Sequence, residues 1–360
     1  MEKGYLVLES GDVFEGTMMG QITHTSGEVV FNTGMTGYQE MLTDPSYAGQ
    51  ILTFCYPLIG NYGINAEDNE GPIIHLSGVI VSNLCQIPSH YLSIKPLITH
   101  LDQAGIPCLA NIDTRAVVKR IRNLGTMRGV LTLNPKEVSF QTPVKDHSLV
   151  GKVATKKVKH YPGTGPHIIL IDYGSKKSIL TSLLQAGCEV SVVPFNTPYS
   201  EVKALKPDGV VLSNGPGDPQ AMKPYFGEIK AISELVPTLG ICLGHQLLAL
   251  AHGAKTEKLL FGHRGGNHPV KELETGKVWM TSQNHSYVVK EDSLDLKKLQ
   301  VTYRNVNDQS IEGLKSTQFP FESVQFHPEA HPGPTDTELI FTRFIQKIKH
   351  AGESSYAITY

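Results

Sequence analysis

Apolar residues along this chain form short runs broken by clusters of Gly, Pro, Asp and Ser, and the spacing of those runs changes once. In the first part strands dominate. Residues 5–8 and 13–14 flank Ser10-Gly11-Asp12 as a hairpin, 27–32 alternates like a strand, and 51–56 reads as a buried strand ended by Pro57. Further strands are predicted at 77–81 and 130–133. Residues 92–104 read as a helix interrupted at Pro96, and Asp113 caps a helix over Thr114–Leu124 that Gly125 ends. Two glycine-containing stretches, Thr33-Gly34-Met35-Thr36-Gly37-Tyr38 and Leu58-Ile59-Gly60-Asn61-Tyr62-Gly63, are too rich in special residues to be mere spacers.

After residues 151–165, whose lysines, glycines and prolines have the composition of a linker, strands alternate with helices. Strands are predicted at His167–Asp172, 189–193, 209–213 and Thr238–Ile241, with an amphipathic helix over 178–186. Continuous apolar strands in such alternation predict a parallel sheet covered on both faces, with ligands at the carboxyl ends of its strands. The organisation expected is therefore a strand-rich N-terminal α/β domain over 1–150, a linker over 151–165, and an α/β domain with a mainly parallel sheet over 166–360.

One stretch of that sheet edge suggests chemistry. Gly240-Ile241-Cys242-Leu243-Gly244-His245-Gln246 joins a strand to a helix predicted over 247–251, and G-x-C-x-G there is the logic of a nucleophile elbow. The glycines allow a tight turn that projects the side chain from the sheet, and the helix dipole presents its positive end to the sulfur. By itself the pentapeptide fits a small buried cysteine equally well. Ser213-Asn214-Gly215-Pro216-Gly217-Asp218-Pro219 follows the preceding strand and has the glycines to present backbone N–H groups to an oxyanion. Ser323-Val324-Gln325-Phe326-His327-Pro328-Glu329 reads as another strand, with His327 and Glu329 two apart on one face. A thiol needs a base, and a base needs an orienting carboxylate; this pair supplies both if the strand ends beside Cys242. His245, three residues into the helix, should point away from the sulfur. His263, His268, His285 and His331 are further histidines of this half, whereas His24, His75, His90 and His100 are scattered singly in the first. No HxH or HExxH spacing occurs, so no metal is expected. Thr43-Asp44-Pro45-Ser46-Tyr47 reads as an ordinary Asp-Pro turn.

Composition narrows the class without changing the picture. The chain has 360 residues, 40% of them hydrophobic and 18% charged, and a formal net charge of -2, which leaves no footprint for nucleic acid or an anionic membrane. Five widely spaced cysteines without a CxxC point to reduced thiols rather than a disulfide framework. With no apolar run of membrane-spanning length and no signal-like N-terminus, a cytoplasmic protein is expected.

Taken together, the elbow, the Ser213–Pro219 block (213–219) and His327-Pro328-Glu329 resemble the class I (triad) glutamine amidotransferases, whose domain is flavodoxin-like. Phe31-Asn32-Thr33-Gly34-Met35-Thr36-Gly37-Tyr38, Thr43-Asp44-Pro45-Ser46-Tyr47, Tyr56-Pro57-Leu58-Ile59-Gly60-Asn61-Tyr62-Gly63, Asn111-Ile112-Asp113-Thr114-Arg115 and the segment 261–270 resemble the carbamoyl-phosphate synthase small chains. The resemblance implies hydrolysis of L-glutamine and passage of ammonia to a large synthetase chain. That partner uses ATP and Mg to make carbamoyl phosphate from bicarbonate; no cofactor is implied in this chain. Residue by residue, it implies Cys242 as nucleophile, His327 as general base and acid, and Glu329 as its orienter. Oxyanion donors would be the Leu243 and Gly215 N–H groups. Glutamine contacts would be Ser46, Gly215, Gly217, Leu243, Gln246, Asn284, Ser286 and Tyr287, which turns the Ser46 loop from an ordinary turn into a substrate contact. Asn284-His285-Ser286-Tyr287 departs from the commoner Asn-His-Gly-Phe of the family and, with Ala330-His331-Pro332, is similar to small chains dedicated to arginine rather than pyrimidine synthesis. Two competing readings are a stand-alone thiol amidohydrolase and a non-catalytic partner subunit. The first leaves the motifs of residues 27–63 without a use, and the second leaves Cys242, His327 and Glu329 without one.

Overall fold

The computed structural model describes residues 2–20, 24–140 and 149–356, and divides into two compact units, Met1–Asp146 with Leu259–Gly265, and His147–Lys258 with Gly266–Tyr360. Among its described residues the first unit holds β1 (Glu2–Leu8), β2 (Val13–Met19), β3 (Thr25–Asn32), β4 (Gln50–Phe54), β5 (Leu58–Ile59), β6 (Gly78–Ile80), β7 (Asn83–Leu84), β8 (Cys108–Ala110) and β9 (Met127–Thr132). Seven of them close a barrel in the order β1-β2-β8-β6-β4-β3-β9, and β5 pairs with β7 alone. Alternation along each strand distributes its apolar residues between two cores. Val29, Phe31 and Ile51 pack in one, Val30, Leu52 and Phe54 in the other, so both faces of these strands are dry.

The predicted hairpin is present as β1 against β2. The helix Thr114–Leu124 begins where Asp113 Oδ1 accepts the Ala116 N–H at 2.9 Å, and ends at Gly125 with φ 93°. The helix expected over 92–104 is shorter, Leu97–Gln103, and starts after Pro96. Ile64 pairs with Lys95 in an isolated bridge, so the residues before the proline are extended rather than helical.

The second unit is a ten-stranded sheet of β10 (Lys159–Tyr161), β11 (His167–Asp172), β12 (Glu189–Pro194), β13 (Gly209–Leu212), β14 (Thr238–Ile241), β15 (Thr256–Glu272), β16 (Val278–Val289), β17 (Leu299–Asn305), β18 (Ile311–Ser316) and β19 (Phe321–Val324). Their order is β10-β12-β11-β13-β14-β19-β18-β17-β15-β16. The strands β12, β11, β13, β14 and β19 are parallel, as the α/β reading requires. An antiparallel ladder of β18, β17 and β15 extends that core on one side, and β10 caps the other. Residues 151–165, expected as a linker, hold the end of the helix Leu149–Val153 and β10. Strand β10 pairs through its backbone, so its lysine-rich composition does not reveal it.

Both faces of the parallel core are covered. Ile169, Ile171, Val210 and Leu212 pack on one side with Leu247 and Leu248 of the helix Leu243–Ala251. Ile168, Leu170, Val211 and Leu239 pack on the other with Ile179, Leu183, Phe344 and Ile348. No helix among the described residues is long and apolar enough to cross a membrane.

The close approach of the helix Leu243–Ala251 to β13 requires a missing side chain. A Cβ on Gly244 would lie 2.3 Å from the Leu212 carbonyl oxygen, and the Gly244 N–H donates to the Ser213 carbonyl at 3.1 Å. Gly244→Ala should therefore force the helix off the sheet and destabilise the second unit by about 1–3 kcal/mol, read as a lower midpoint in denaturant unfolding.

Candidate active site

The helix Leu243–Ala251 follows β14 with one residue between them, Cys242, at φ 52° and ψ -102°. A non-glycine residue in that region is strained, and the surroundings hold it there: the Cys242 N–H donates to the Val324 carbonyl at 2.9 Å, and the Gln246 N–H donates to the Cys242 carbonyl at 3.2 Å. The turn is as tight as the sequence predicts, and the helix begins at Leu243, so it includes His245 as well as the apolar run 247–251. Cys242 is only 2% exposed. Its Sγ lies 3.6 Å from the Asn284 carbonyl oxygen and 3.7 Å from Gln325 Nε2.

His327 and Glu329 are brought together, though not by strand alternation. Strand β19 ends at Val324, and His327 is held instead by an isolated bridge in which its N–H donates to the Ser282 carbonyl at 2.9 Å. The Ala330 N–H closes a turn onto the His327 carbonyl at 3.1 Å. Within that turn His327 Nδ1 and Glu329 Oε1 are 2.6 Å apart. Nδ1 is the donor to the ionised carboxylate, and Nε2 is buried without a hydrogen-bond partner among the described residues. Glu329 is fully buried, and Lys176 Nζ lies 3.2 Å from its Oε1. The same ammonium donates to the Ala330 carbonyl, which fastens the turn to the end of β11.

These charges set the protonation states. Burial alone would lower the His327 pKa, but the Glu329 carboxylate and the neighbouring Cys242 raise it well above 6.5. Burial would raise Glu329, but Lys176 and His327 hold it below 4.5. A raised histidine stabilises the fold below its unfolded pKa, and that stabilisation is lost as pH rises through the folded value. A lowered carboxylate stabilises above its unfolded pKa, and the contribution is lost as pH falls. Both contributions are complete only between about 4.5 and 6.5.

The glycine loop lies beside the elbow. A Cβ at Gly215 would meet the Tyr173 carbonyl oxygen at 2.4 Å and Leu243 Cδ2 at 2.9 Å, so only glycine fits between β11's end and the first helical residue. Gly217 has φ 91°. Leu243 opens the helix, where the first N–H groups have no intrahelical acceptor. Gln246, expected to touch substrate, donates from Nε2 to the Tyr287 carbonyl at 2.8 Å and to Gln325 Oε1 at 3.1 Å. It thereby ties the helix to β16, which carries Asn284, Ser286 and Tyr287. Ser46 lies in the first unit, in the turn Pro45–Tyr47, with its N–H donating to Asp44 Oδ1 at 2.8 Å.

His245 faces away from the sulfur's partners, as its place in the helix predicts: Nδ1 is 2.9 Å from Ser323 Oγ, and complete burial pushes its pKa down to about 3. Sequence reasoning misses Lys176 and Gln325. Lys176 precedes the helix Lys177–Gln185 in a run of two lysines that looks solvent-facing. The only local sign of its burial is its place at the carboxyl end of a core strand.

Comparison with known proteins gives the family of both units. Residues 169–347 match the family model of class I glutamine amidotransferases, and residues 6–131 that of the carbamoyl-phosphate synthase small chain, CPSase domain. The arginine-specific carbamoyl phosphate synthase small chain of Halalkalibacterium halodurans is 52% identical over 99% of this chain and 100% of its own length. The arginine-specific small chain of Bacillus subtilis is 49% identical over 96% of this chain and 97% of its own. The pyrimidine-specific small chain of the same organism is 48% identical over 99% of both.

Glu329→Gln removes one of the two groups that lift His327 and leaves burial to lower its pKa and Cys242 to raise it. In a histidine NMR titration the His327 pKa should then fall from its wild-type value; an unchanged value would assign the shift to Cys242.

Proposed function

The chain belongs to the carbamoyl-phosphate synthase small-chain family, and from that membership we propose that it is the glutaminase subunit of such a synthase, with Cys242, His327 and Glu329 as its triad. The observation that carries the triad is the Glu329–His327 bond at 2.6 Å, which occupies Nδ1 and leaves the buried Nε2 for Cys242, the neighbour that together with Glu329 raises the ring's pKa.

The reaction proceeds in two halves. His327, whose surroundings favour the imidazolium, already holds the proton given up by the Cys242 thiol when Sγ bonds to the side-chain carbonyl carbon of L-glutamine. The resulting oxyanion would be met by the Leu243 and Gly215 N–H groups. As the intermediate collapses, His327 returns the proton to the departing nitrogen, the C–N bond breaks, and ammonia leaves a glutamyl thioester. Water then attacks the thioester carbon while His327 accepts its proton. The C–S bond breaks, glutamate departs, and the proton returns to sulfur. Glu329 holds the ring so that Nε2 serves both halves, and its ionised state, secured by Lys176, stabilises the imidazolium. Gly217, Gln246, Asn284, Ser286 and Tyr287 would bound the glutamine, with Ser46 carried over from the family resemblance. Ammonia would pass to a large synthetase chain, where ATP and Mg act; the sequence of this chain carries no P-loop motif.

Arginine-specific and pyrimidine-specific small chains both occur among relatives of nearly equal identity. The Ser286-Tyr287 variant supports the arginine branch, which is the assignment proposed here.

In the complex with the large chain, Cys242→Ser and His327→Asn should each lower glutamine-dependent carbamoyl phosphate formation by several orders of magnitude while synthesis from added ammonia persists. Retained glutamine use in either variant would overturn the triad. Loss of this chain in its host should create a requirement for arginine and none for uracil; a joint requirement would overturn the arginine assignment.

A further inference from the structure

Outside the elbow, three adjacent strands of the second unit place two imidazoles and a carboxylate on one face. Strand β12 lies between β10 and β11. Its Glu189 and Ser191 are two apart and so share a face. The register sets His160 of β10 opposite Ser191, and His167 of β11 opposite Glu189. His160 Nδ1 is 3.2 Å from Ser191 Oγ, which turns its Nε2 toward Glu189 Oε1 at 3.7 Å. His167 Nε2 lies 2.9 Å from Ser191 Oγ and 4.0 Å from the same carboxylate oxygen. One donor atom from each of His160, His167 and Glu189 falls within 4.8 Å of the others.

We propose that His160, His167 and Glu189 form a binding site for a divalent transition metal, with Zn2+ as the ion the donors suit. Two imidazoles and a carboxylate match zinc, whereas an all-oxygen set would suit magnesium or calcium. Ligands bonded at about 2.0–2.2 Å around one tetrahedral ion stand roughly 3.3–3.5 Å apart. The present separations, 3.7 and 4.0 Å to the carboxylate and no more than 4.8 Å between any two donors, close with side-chain rotations in which His167 Nε2 exchanges its Ser191 bond for the ion. The backbone needs no change, because all three residues stand on hydrogen-bonded strands. Ser191 bonded to the far ring nitrogen of His160 is the kind of outer contact that fixes the ring and tautomer of a ligating histidine. The His160, His167 and Glu189 side chains are 53%, 17% and 35% exposed, so an ion enters from solvent and water fills its fourth position. Bound there, the ion clips the three-residue edge strand β10 and the core strand β11 to β12. The site uses none of the residues assigned to glutamine cleavage and stands apart from that reading.

The test is equilibrium dialysis of the full-length, chelator-treated, thiol-reduced chain against Zn2+, alongside the His160→Gln/His167→Gln double variant, Glu189→Gln and Ser191→Ala. The wild type should bind one more zinc ion than the double variant. Ser191→Ala should weaken that ion about ten-fold or more, as loss of an outer contact does. Zinc, and not magnesium, should protect His160 and His167 from carbethoxylation followed by mass spectrometry. Equal zinc binding by wild type and double variant, both folded by thermal melting, would overturn the proposal. So would histidines left unprotected while zinc binds, because the ion would then be held by thiols. Glu189→Gln, which barely changes shape, should lower the affinity without moving the melting temperature of the metal-free protein; unchanged affinity would remove Glu189 from the site.

Discussion

A carboxylate with no exposed surface has to be answered by charge close at hand, because burying it alone would cost several kcal/mol. Glu329 is answered twice, by the His327 ring at 2.6 Å and the Lys176 ammonium at 3.2 Å. Meeting that requirement brings together the loop after β11 and the turn after β19, which are far apart in sequence and separated in the sheet by β13 and β14. Parallel strands make this possible: their carboxyl ends all open on one edge, so loops that follow them converge. Strand β16 joins the same edge through the Ser282 carbonyl, which holds the His327 N–H.

The strained backbone of Cys242 depends on the same convergence. Its N–H is held by the carbonyl of Val324 on β19, and the helix behind it is held by the carbonyl of Ser213 at the end of β13. Glycines at 240, 244 and 215 are what let three backbones approach this closely. An added Cβ at Gly240 would fall 2.7 Å from the Gly244 carbonyl group, and at Gly215 2.4 Å from Tyr173. Gln246 and Gln325 complete the enclosure, the first bonded to β16 and the second reaching the sulfur. The strain and the buried ion set thus support each other: displacing β19 would loosen both.

Much of this arrangement is legible in the order of residues. Long-period features carry best: continuous apolar runs mark β11, β13 and β14 within a residue, and the Asp113 and Gly125 signals bound a helix correctly at both ends. Features without an apolar pattern carry worst. Strand β10 has the composition of a linker, and the antiparallel ladder beyond β19 leaves no clear periodicity, because its half-exposed strands mix polar and apolar residues. Strand alternation points to the His327–Glu329 pair for a partly mistaken reason, since a turn rather than a strand joins the two residues.

The sequence by itself determined the α/β class, the elbow at Cys242 and the residue types of its base and orienter, because local spacing and side-chain chemistry are written in consecutive positions. It could not determine that Lys176 is buried against Glu329, that Gln325 reaches the thiol, or that His160, Glu189 and His167 share a face. Each of those depends on which strands become neighbours and in what register. Strand order is decided by how all the apolar faces bury together, so it belongs to the tertiary structure and to no single stretch of chain.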